Sequence, residues 1–546
     1  NSKYAQIFEE TTRKVTEALG EQHIHLVTEC DLDEEQQQFV RMYCLQNLAG
    51  SLSPSWLSAV KALTASADDT IYLMVRLQHW KENKKKPEKN YAIVELPVSQ
   101  FGRFVQLPSR GEDHYIMYLD DVIRCALPYM FPGTEYNHFE AWSFKFTKDA
   151  EMEIESDIRG GMLQKIAKGV KSRKNGLPVR MIYDEQMPRE VLKRLMEHLN
   201  LSSLDTMLSS GRYQNHKDLM KFPDCGRTDL KYPKWQAINP VWMQETSDNQ
   251  ESLLSKIREC DRFLHVPYHS FDAYINLLRE AAVNPEVKGI KTTLYRLAKD
   301  SKVIGALIAA ARNGKKVTVV IELLARFDEE SNIDWSKKMA DAGINVITGV
   351  EGLKIHSKIT LITAKGGDVA VISTGNFHEG NARVYTDFMQ LTARKPIVSD
   401  VARVFEFIEH PYLPVRFKEL LVSPNDMKRQ LVALINQEIR NHNQGLPACI
   451  LAKLNHVTDE TIVKKIYEAA ASGVKVQLLV RGNCSLVPNL PELADNLRVN
   501  TIIDRYLEHS RILIFANGAD LEHPEIIVVC PNHRGQFFGS INLSSL

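Results

Sequence analysis

Two short stretches carry residue types suited to chemistry on phosphorus: GLKIHSKITLIT, Gly352 to Thr363, and YLEHSRILIF, Tyr506 to Phe515. Both read as apolar strands, in which successive side chains alternate faces. On that pattern Lys354, His356 and Lys358 share one face, while Ile355, Ser357 and Ile359 take the other. In the second stretch His509 and Arg511 share a face and Glu508 points away. A neutral imidazole attacks phosphorus through its lone pair, which imidazolium lacks. Neighbouring cations disfavour imidazolium, so Lys354 and Lys358 predict a His356 pKa below the usual value of about 6.5. The same cations would stabilise charge on phosphoryl oxygens as a P–N bond forms. Burying such lysines without an anion is costly, so an anion is expected at this face.

The elements that must position these residues repeat. ALIAAARNGKKVTVVIEL, Ala306 to Leu323, has the plan of KIYEAAASGVKVQLLVRG, Lys465 to Gly482: a helix, an alanine triplet, a glycine and an apolar strand. Gly314 and Gly473 stand where a left-handed helix C-cap is wanted. Each unit is followed by its His-Ser-cation strand, and then by STGN (Ser373 to Asn376) or GSIN (Gly539 to Asn542). Two copies of one α/β unit are the simplest account. The β-branched runs IKTTLYRL, KVTVVIEL, INVITGV and DVAVIST alternate with helices, as a layered α/β sheet requires.

The front half differs. YAQIFEETTRKVTEAL is helical in period, and a second helix after it has Asp33 as N-cap and Gly50 near its stop. TIYLMVRLQHW and YAIVELPV read as strands joined by the lysine-rich tip KENKKKPEKN, a solvated hairpin. Further helices are expected at Met162 to Lys174 and Arg189 to His198, giving an α+β domain that ends near Pro240. With 546 residues the chain is long enough for several domains. Lys plus Arg (68) balance Asp plus Glu (68), so any basic site is local. The eight scattered cysteines show no metal-ligand spacing and suggest a reducing compartment. No apolar run is long enough to span a bilayer, and no Gly-rich phosphate loop of the G-x-x-x-x-G-K-[ST] type occurs. The basic patch Lys168 to Gly176 fits a solvated helix end.

Paired His-x-cation units with a Gly-Ser/Thr-x-Asn element resemble the phospholipase D superfamily, whose two halves meet with both histidines at one phosphoryl centre. The chain departs from that pattern at Thr363 and Ala516, where an Asp would stand, and at Arg511. Longer stretches (LYRLAKDS, NGKKVTVVIELLARFDEESNIDW, GLKIHSK, STGNFHEGNARVYTDF, LLVRGNCSLVPNLP and IIDRYLEHSRI) resemble polyphosphate kinase of the phosphohistidine class, from about Asn1 to Asn517. That resemblance implies a multidomain α/β and α+β fold. Residues 1–27 would be the C-terminal part of a helical N-terminal domain and 28–240 an α+β head domain. Residues 241–421 and 422–546 would be two phospholipase-D-like α/β repeats, the second truncated, with 518–546 beyond the matched stretch.

The resemblance further implies reversible transfer of the terminal phosphate of ATP to inorganic polyphosphate, with His356 as the phosphorylated residue. His509 would act as general acid or base, or assist electrostatically. Arg296 and Arg326 match arginines of the phosphate and magnesium region; a guanidinium cannot ligate a metal, so both would grip phosphates that carry Mg²⁺. Tyr385 and Arg481 match the nucleotide site, Lys358 and Asn376 are further contacts by analogy with the superfamily, and Asp387 is a candidate to orient an imidazole. Expected partners are ATP or ADP and polyphosphate, with no nucleic acid, in a homo-oligomer (dimer or tetramer) located in the cytoplasm or at a membrane surface. The competing expectations are a phospholipase-D-type phosphodiesterase or nuclease, and a non-catalytic polyphosphate-binding module.

Overall fold

In the computed structural model all residues are described except 1, 61–69, 82–85, 149–177, 200–205, 244–251, 299, 323–328, 351–352, 354, 489, 494, 520–525, 530–540 and 543–546. Two candidate site residues, Lys354 and Arg326, lie outside the described residues, as do the hairpin tip 82–85, the helix expected at 162–174 and the basic patch 168–176. The chain divides into two units, Asn1–Asp157 with Lys168–Pro233, and Ile158–Ala167 with Lys234–Leu546.

The first unit is α+β. A helix spans Ser2–Glu21. The next, Glu34–Tyr43, starts where expected: the Asp33 carboxylate accepts from the Gln36 N–H and the Gln36 side chain accepts from the Asp33 N–H, a reciprocal capping box. One sheet runs β2 (Ser55–Trp56), β4 (Glu88–Glu95), β3 (Tyr72–His79), β7 (His138–Lys148), β8 (Pro178–Asp184) and β9 (Thr206–Ser210); a smaller one runs β1 (Ile24–Val27), β6 (His114–Tyr118) and β5 (Phe104–Gln106). The expected hairpin is β3 with β4, antiparallel from Tyr72↔Glu95 to His79↔Glu88. Two apolar cores flank the larger sheet. One gathers Leu73, Val75 and Leu77, and the other Tyr72 and Met74, as strand alternation dictates.

The second unit holds both repeats. Its first sheet runs β10 (Arg262–Val266), β16 (Tyr385–Thr392), β15 (Val369–Ser373), β14 (Ile359–Ala364), β11 (Val287–Leu294), β12 (Lys316–Ile321) and β13 (Asn345–Ile347). The second runs β19 (Leu497–Asn500), β18 (Lys475–Val480), β17 (Cys449–Leu454), β21 (Ile512–Phe515), β22 (Ile526–Val529) and β23 (Ile541–Asn542). The plans match: β11 and β17 each pair in parallel with the following strand and antiparallel with the strand after the histidine. Gly314 (φ 78°) and Gly473 (φ 101°) adopt the left-handed turn that ends each helix. Separate cores sit behind the two sheets, and the chain passes between them at Leu420–Val422. There Leu420 and Val422 enter the first core and Leu421 the second.

Two details differ from the sequence pattern. The strand does not include His356: β14 begins at Ile359, and β21 begins at Ile512 after His509. Each histidine therefore lies in the segment entering its strand, where the backbone is committed to site contacts as well as to the ladder. Of the GSIN echo, Gly539 and Ser540 lie outside the described residues, and the described part holds a different place in its sheet from STGN. STGN follows from β15, paired directly with β14, whereas Ile541–Asn542 form β23, one strand further from β21.

Candidate active site

His509 reaches the first repeat because a piece of the second repeat joins the first repeat's sheet. The two-residue strand β20 (Leu507–Glu508) pairs in parallel with β16, Tyr385↔Leu507 and Thr386↔Glu508. Backbone bonds at 2.9 Å, Leu507 N–H to Val384 O and Ser510 N–H to Thr386 O, extend the pairing past His509. This sets the His509 ring against Asp387, with Nδ1 2.9 Å from both carboxylate oxygens. Tyr385, on the same face of β16, holds its ring centroid 5.0 Å from that of His509.

Bond chemistry fixes the tautomer of His509. An ionised carboxylate only accepts, so Nδ1 donates to Asp387; a guanidinium only donates, so Nε2 accepts from Arg511 Nη2 at 3.3 Å. The ring is neutral, with its proton on Nδ1. Burial pushes the His509 pKa down from the usual histidine value; Asp387 opposes this, while Arg511 and Lys358 reinforce it. The effect of Lys358, from the first repeat, on a ring of the second ties the two halves of the site together.

Asp387 is itself held in place. Thr374 Oγ1 donates to its Oδ1 at 2.6 Å, and Thr374 O accepts from Arg511 Nη1 at 2.8 Å. Gly375 follows because nothing larger fits: a Cβ there would lie 2.2 Å from Asp387 Oδ2. The same loop carries Asn376, which is buried, with no hydrogen-bond partner for its Oδ1 among the described residues.

Around His356, Tyr295 packs edge-on against the imidazole with centroids 4.5 Å apart, and Lys358 Nζ lies 5.0 Å from the Tyr295 ring centre. Lys358 also donates to the His356 carbonyl. Both side chains thus lie on one side of the segment, as alternation predicts. The backbone is fixed from below by Thr293, whose Oγ1 donates to Ser357 O at 2.6 Å and accepts from Ile359 N–H at 3.1 Å. Just before the histidine, Ile355 N–H donates to Glu322 Oε2 at 2.8 Å.

Of the candidates read from sequence, His356, Lys358, Asn376, Tyr385 and His509 are thus gathered at the junction of the repeats. Arg481 joins them: burial lowers its pKa, against the opposing charges of Asp387 and Tyr385, and its Nε donates to Asn455 Oδ1 at 3.2 Å. Arg296 is half-buried beside Tyr295, just past the end of β11. Tyr295, Glu322, Thr374 and Gly375 were not anticipated as site residues. A signal existed for two of them: Glu322 is a carboxylate closing the apolar run KVTVVIE, and Gly375 stands inside STGN.

Lys358 and Arg511 are 1% and 2% exposed, and Arg511 lies against the same neutral imidazole that Asp387 holds. A neutral imidazole held by a carboxylate beside buried cations, with its partners drawn from tandem α/β repeats, is the equipment of a phosphoryl-transfer enzyme.

Three family models match the chain in order: polyphosphate kinase middle domain over residues 35–222, polyphosphate kinase C-terminal domain 1 over 252–414, and polyphosphate kinase C-terminal domain 2 over 420–525. The chain belongs to the polyphosphate kinase family. It is 37% identical over 534 residues to the polyphosphate kinase of Vibrio vulnificus strain YJ016, covering 96% of this chain and 74% of that protein. It is 40% identical over 510 residues to that of Escherichia coli K12, covering 92% and 73%. Among solved structures, the polyphosphate kinase of Porphyromonas gingivalis matches with a TM-score of 0.82 at 31% identity, covering 99% of this chain and 80% of that one.

Proposed function

We propose that this enzyme transfers the terminal phosphoryl group of MgATP reversibly to inorganic polyphosphate through a phosphohistidine at His356. A lone pair of the His356 imidazole attacks the γ-phosphorus; the P–N bond forms as the bond to the bridging oxygen breaks, and ADP leaves. A terminal oxygen of polyphosphate then attacks the same phosphorus, and the P–N bond breaks. The observation that carries this reading is the convergence of Lys358, Arg511 and a neutral His509 from two repeats on one buried locus. Lys358 and Arg511 bind the charge spread over the phosphoryl oxygens in the transition state. As Arg511 turns its N–H from His509 to the phosphoryl oxygens, the freed Nε2 lone pair takes the proton of an incoming chain-end hydroxyl and returns it in the reverse direction. Asn376 offers its amide to the phosphoryl group, and Tyr385 and Arg481 hold the nucleotide.

Among the described residues, no group of three or more His, Cys, Asp or Glu side chains could hold a metal ion. Magnesium fits as part of the nucleotide substrate, where it neutralises phosphate charge, and Arg296 and Arg326 are assigned to phosphate oxygens of that complex. Among the described residues no helix is long and apolar enough to cross a membrane; a cytoplasmic homo-oligomer, dimer or tetramer, remains part of the proposal, to be measured by light scattering.

The test is incubation with γ-labelled ATP and magnesium. The expected result is acid-labile, base-stable label on His356 that chases onto long-chain polyphosphate. His356→Ala should abolish label and transfer while ATP affinity stays within about threefold, because uniform binding is separable from a transition-state contact. Absence of label in the wild-type protein, with hydrolysis of phosphodiesters instead, would favour the phosphodiesterase reading. Transfer unchanged by His356→Ala would remove His356 from the chemistry.

A further inference from the structure

The strand that presents Asp387 and Tyr385 to His509 turns Thr386 to its other face, and that face carries a polar cluster which the chemistry above does not use. Thr386 is 2% exposed. Its Oγ1 donates to Glu508 Oε2 at 2.9 Å and lies 3.4 Å from both the His509 N–H and Lys453 Nζ, which donate to it. Lys453 in turn forms an ion pair with Glu508. One hydroxyl has a single proton and two lone pairs, so a donation to Glu508 and acceptances from His509 N–H and Lys453 use its full capacity. The members come from both repeats: Thr386 from β16, Lys453 from β17 and Glu508 from β20. At the next position on this face, the Phe388 ring stacks on His265 of β10, with centroids 4.2 Å apart at 7°.

The cluster matters because β20 is only two residues long. So short a strand specifies its register weakly through its own ladder, and a one-residue slip exchanges the two faces of a strand. A slip here would bring Glu508 or Ser510 to Asp387 in place of His509. Glu508 is the side chain that the slip would have to drag from its partners.

We propose that Thr386, with Glu508 and Lys453, is the positioning group that locks the His509 segment of the second repeat in register on the first, so that the imidazole meets Asp387. The inference deepens the transfer reading and rests on it for its effect on rate, but the geometry it asserts is measurable independently. The test compares Thr386→Val, which keeps the shape and removes the hydroxyl, with Thr386→Ser, which restores the hydroxyl. The full chain is labelled with ¹⁵N-histidine, and the His509 Nδ1–H resonance is assigned by its loss in His509→Gln.

The wild-type protein should show a downfield Nδ1–H signal, lost or exchange-broadened in Thr386→Val and kept in Thr386→Ser. In ATP-to-polyphosphate transfer, Thr386→Val should lower kcat roughly 10- to 100-fold with little change in KM, the usual consequence of a displacement of order 1 Å. Thr386→Ser should fall within about threefold of wild type on the same scale. If Thr386→Val does not fold, Glu508→Gln carries the same readouts. An unchanged Nδ1–H signal in the hydroxyl-free variant, or Thr386→Ser as impaired as Thr386→Val, overturns the proposal. Should His509→Gln transfer phosphate at the wild-type rate, the role of His509 in transfer fails, and the resonance alone decides the positioning claim.

Discussion

Replacing Asp387 by Asn tests the site through its most constrained contact. The carboxylate sits 2.9 Å from His509 Nδ1 through either oxygen, is 2% exposed, and is pinned by Thr374. Asparagine keeps the shape and one acceptor but removes the charge. A hydrogen bond to a charged group contributes about 1.5–3 kcal/mol, against about 1 kcal/mol for a neutral one. The difference of about 0.5–2 kcal/mol, at 1.36 kcal/mol per factor of ten, should slow transfer by about 2- to 30-fold.

The pH dependence has a definite sign. Burial holds the His509 pKa below its ordinary value and Arg511 and Lys358 push the same way; Asp387 is the opposing group. Without that charge the pKa falls further, so the acid limb of kcat/KM assigned to His509 moves to lower pH. The wild-type limb should already lie below the ordinary histidine value of about 6.5. Steady-state transfer from ATP to polyphosphate, measured from pH 5 to 8 with single-turnover labelling of His356, reads both effects. A variant equal to wild type at every pH, or an acid limb displaced upwards, would refute the role given to the pair.

Other perturbations follow from the same contacts. Glu322→Ala leaves the Ile355 N–H without its carboxylate just before His356, so global stability should fall by about 1–3 kcal/mol in urea titrations and labelling of His356 should slow. Gly375→Ala places a methyl group 2.2 Å from Asp387 Oδ2. About 1–3 kcal/mol of destabilisation is expected from such overpacking, with a loss of transfer larger than that of Asp387→Asn because the whole loop must move. His509→Gln should alter the pH dependence of stability. The folded pKa of His509 is depressed, so its contribution is fully present above the unfolded value of about 6.5 and is lost as pH falls through the folded value. The thermal midpoint of the wild type should therefore decline more steeply below pH 6.5 than that of His509→Gln, and equal slopes would contradict the assignment.

Local pattern made much of the architecture readable. The Asp33 capping box, the hairpin of β3 and β4, the left-handed glycines at 314 and 473 and the helix–strand repeats all depend on residues close in sequence. The same holds for the sharing of one face by His356 and Lys358. What could not be read depends on distant partners. Asp387 is a candidate from the sequence to orient an imidazole, but that the ring is His509, 122 residues further on, is beyond any spacing rule. The positions where an Asp was missing after each histidine illustrate the point: Thr363 Oγ1 donates to Gly289 O at 3.2 Å and serves the sheet, while the carboxylate comes from β16. The extent of the strands was also overread, because KIHSK has strand alternation although its backbone groups are engaged by Glu322 and Thr293 before the ladder with β11 begins.

Placing the partners of one imidazole in two repeats couples assembly to chemistry. Were the repeats to part, Asp387 would lose His509, Arg511 would lose the Thr374 carbonyl, and Thr386 would lose Glu508. Each break removes a hydrogen bond to a charged group, worth about 1.5–3 kcal/mol. Those same contacts hold the buried Arg511 beside His509, where a bound phosphate would add a further partner. Substrate should therefore stabilise the junction more than either repeat alone: ATP or polyphosphate binding neutralises Lys358 and Arg511 and, by linkage, raises the unfolding midpoint with ligand concentration. The duplicated α/β unit thus supplies two similar halves, while Asp387, Thr386 and Glu508 make them unequal, orienting one histidine from across the junction and leaving the other beside Tyr295, where the proposed phosphohistidine would form.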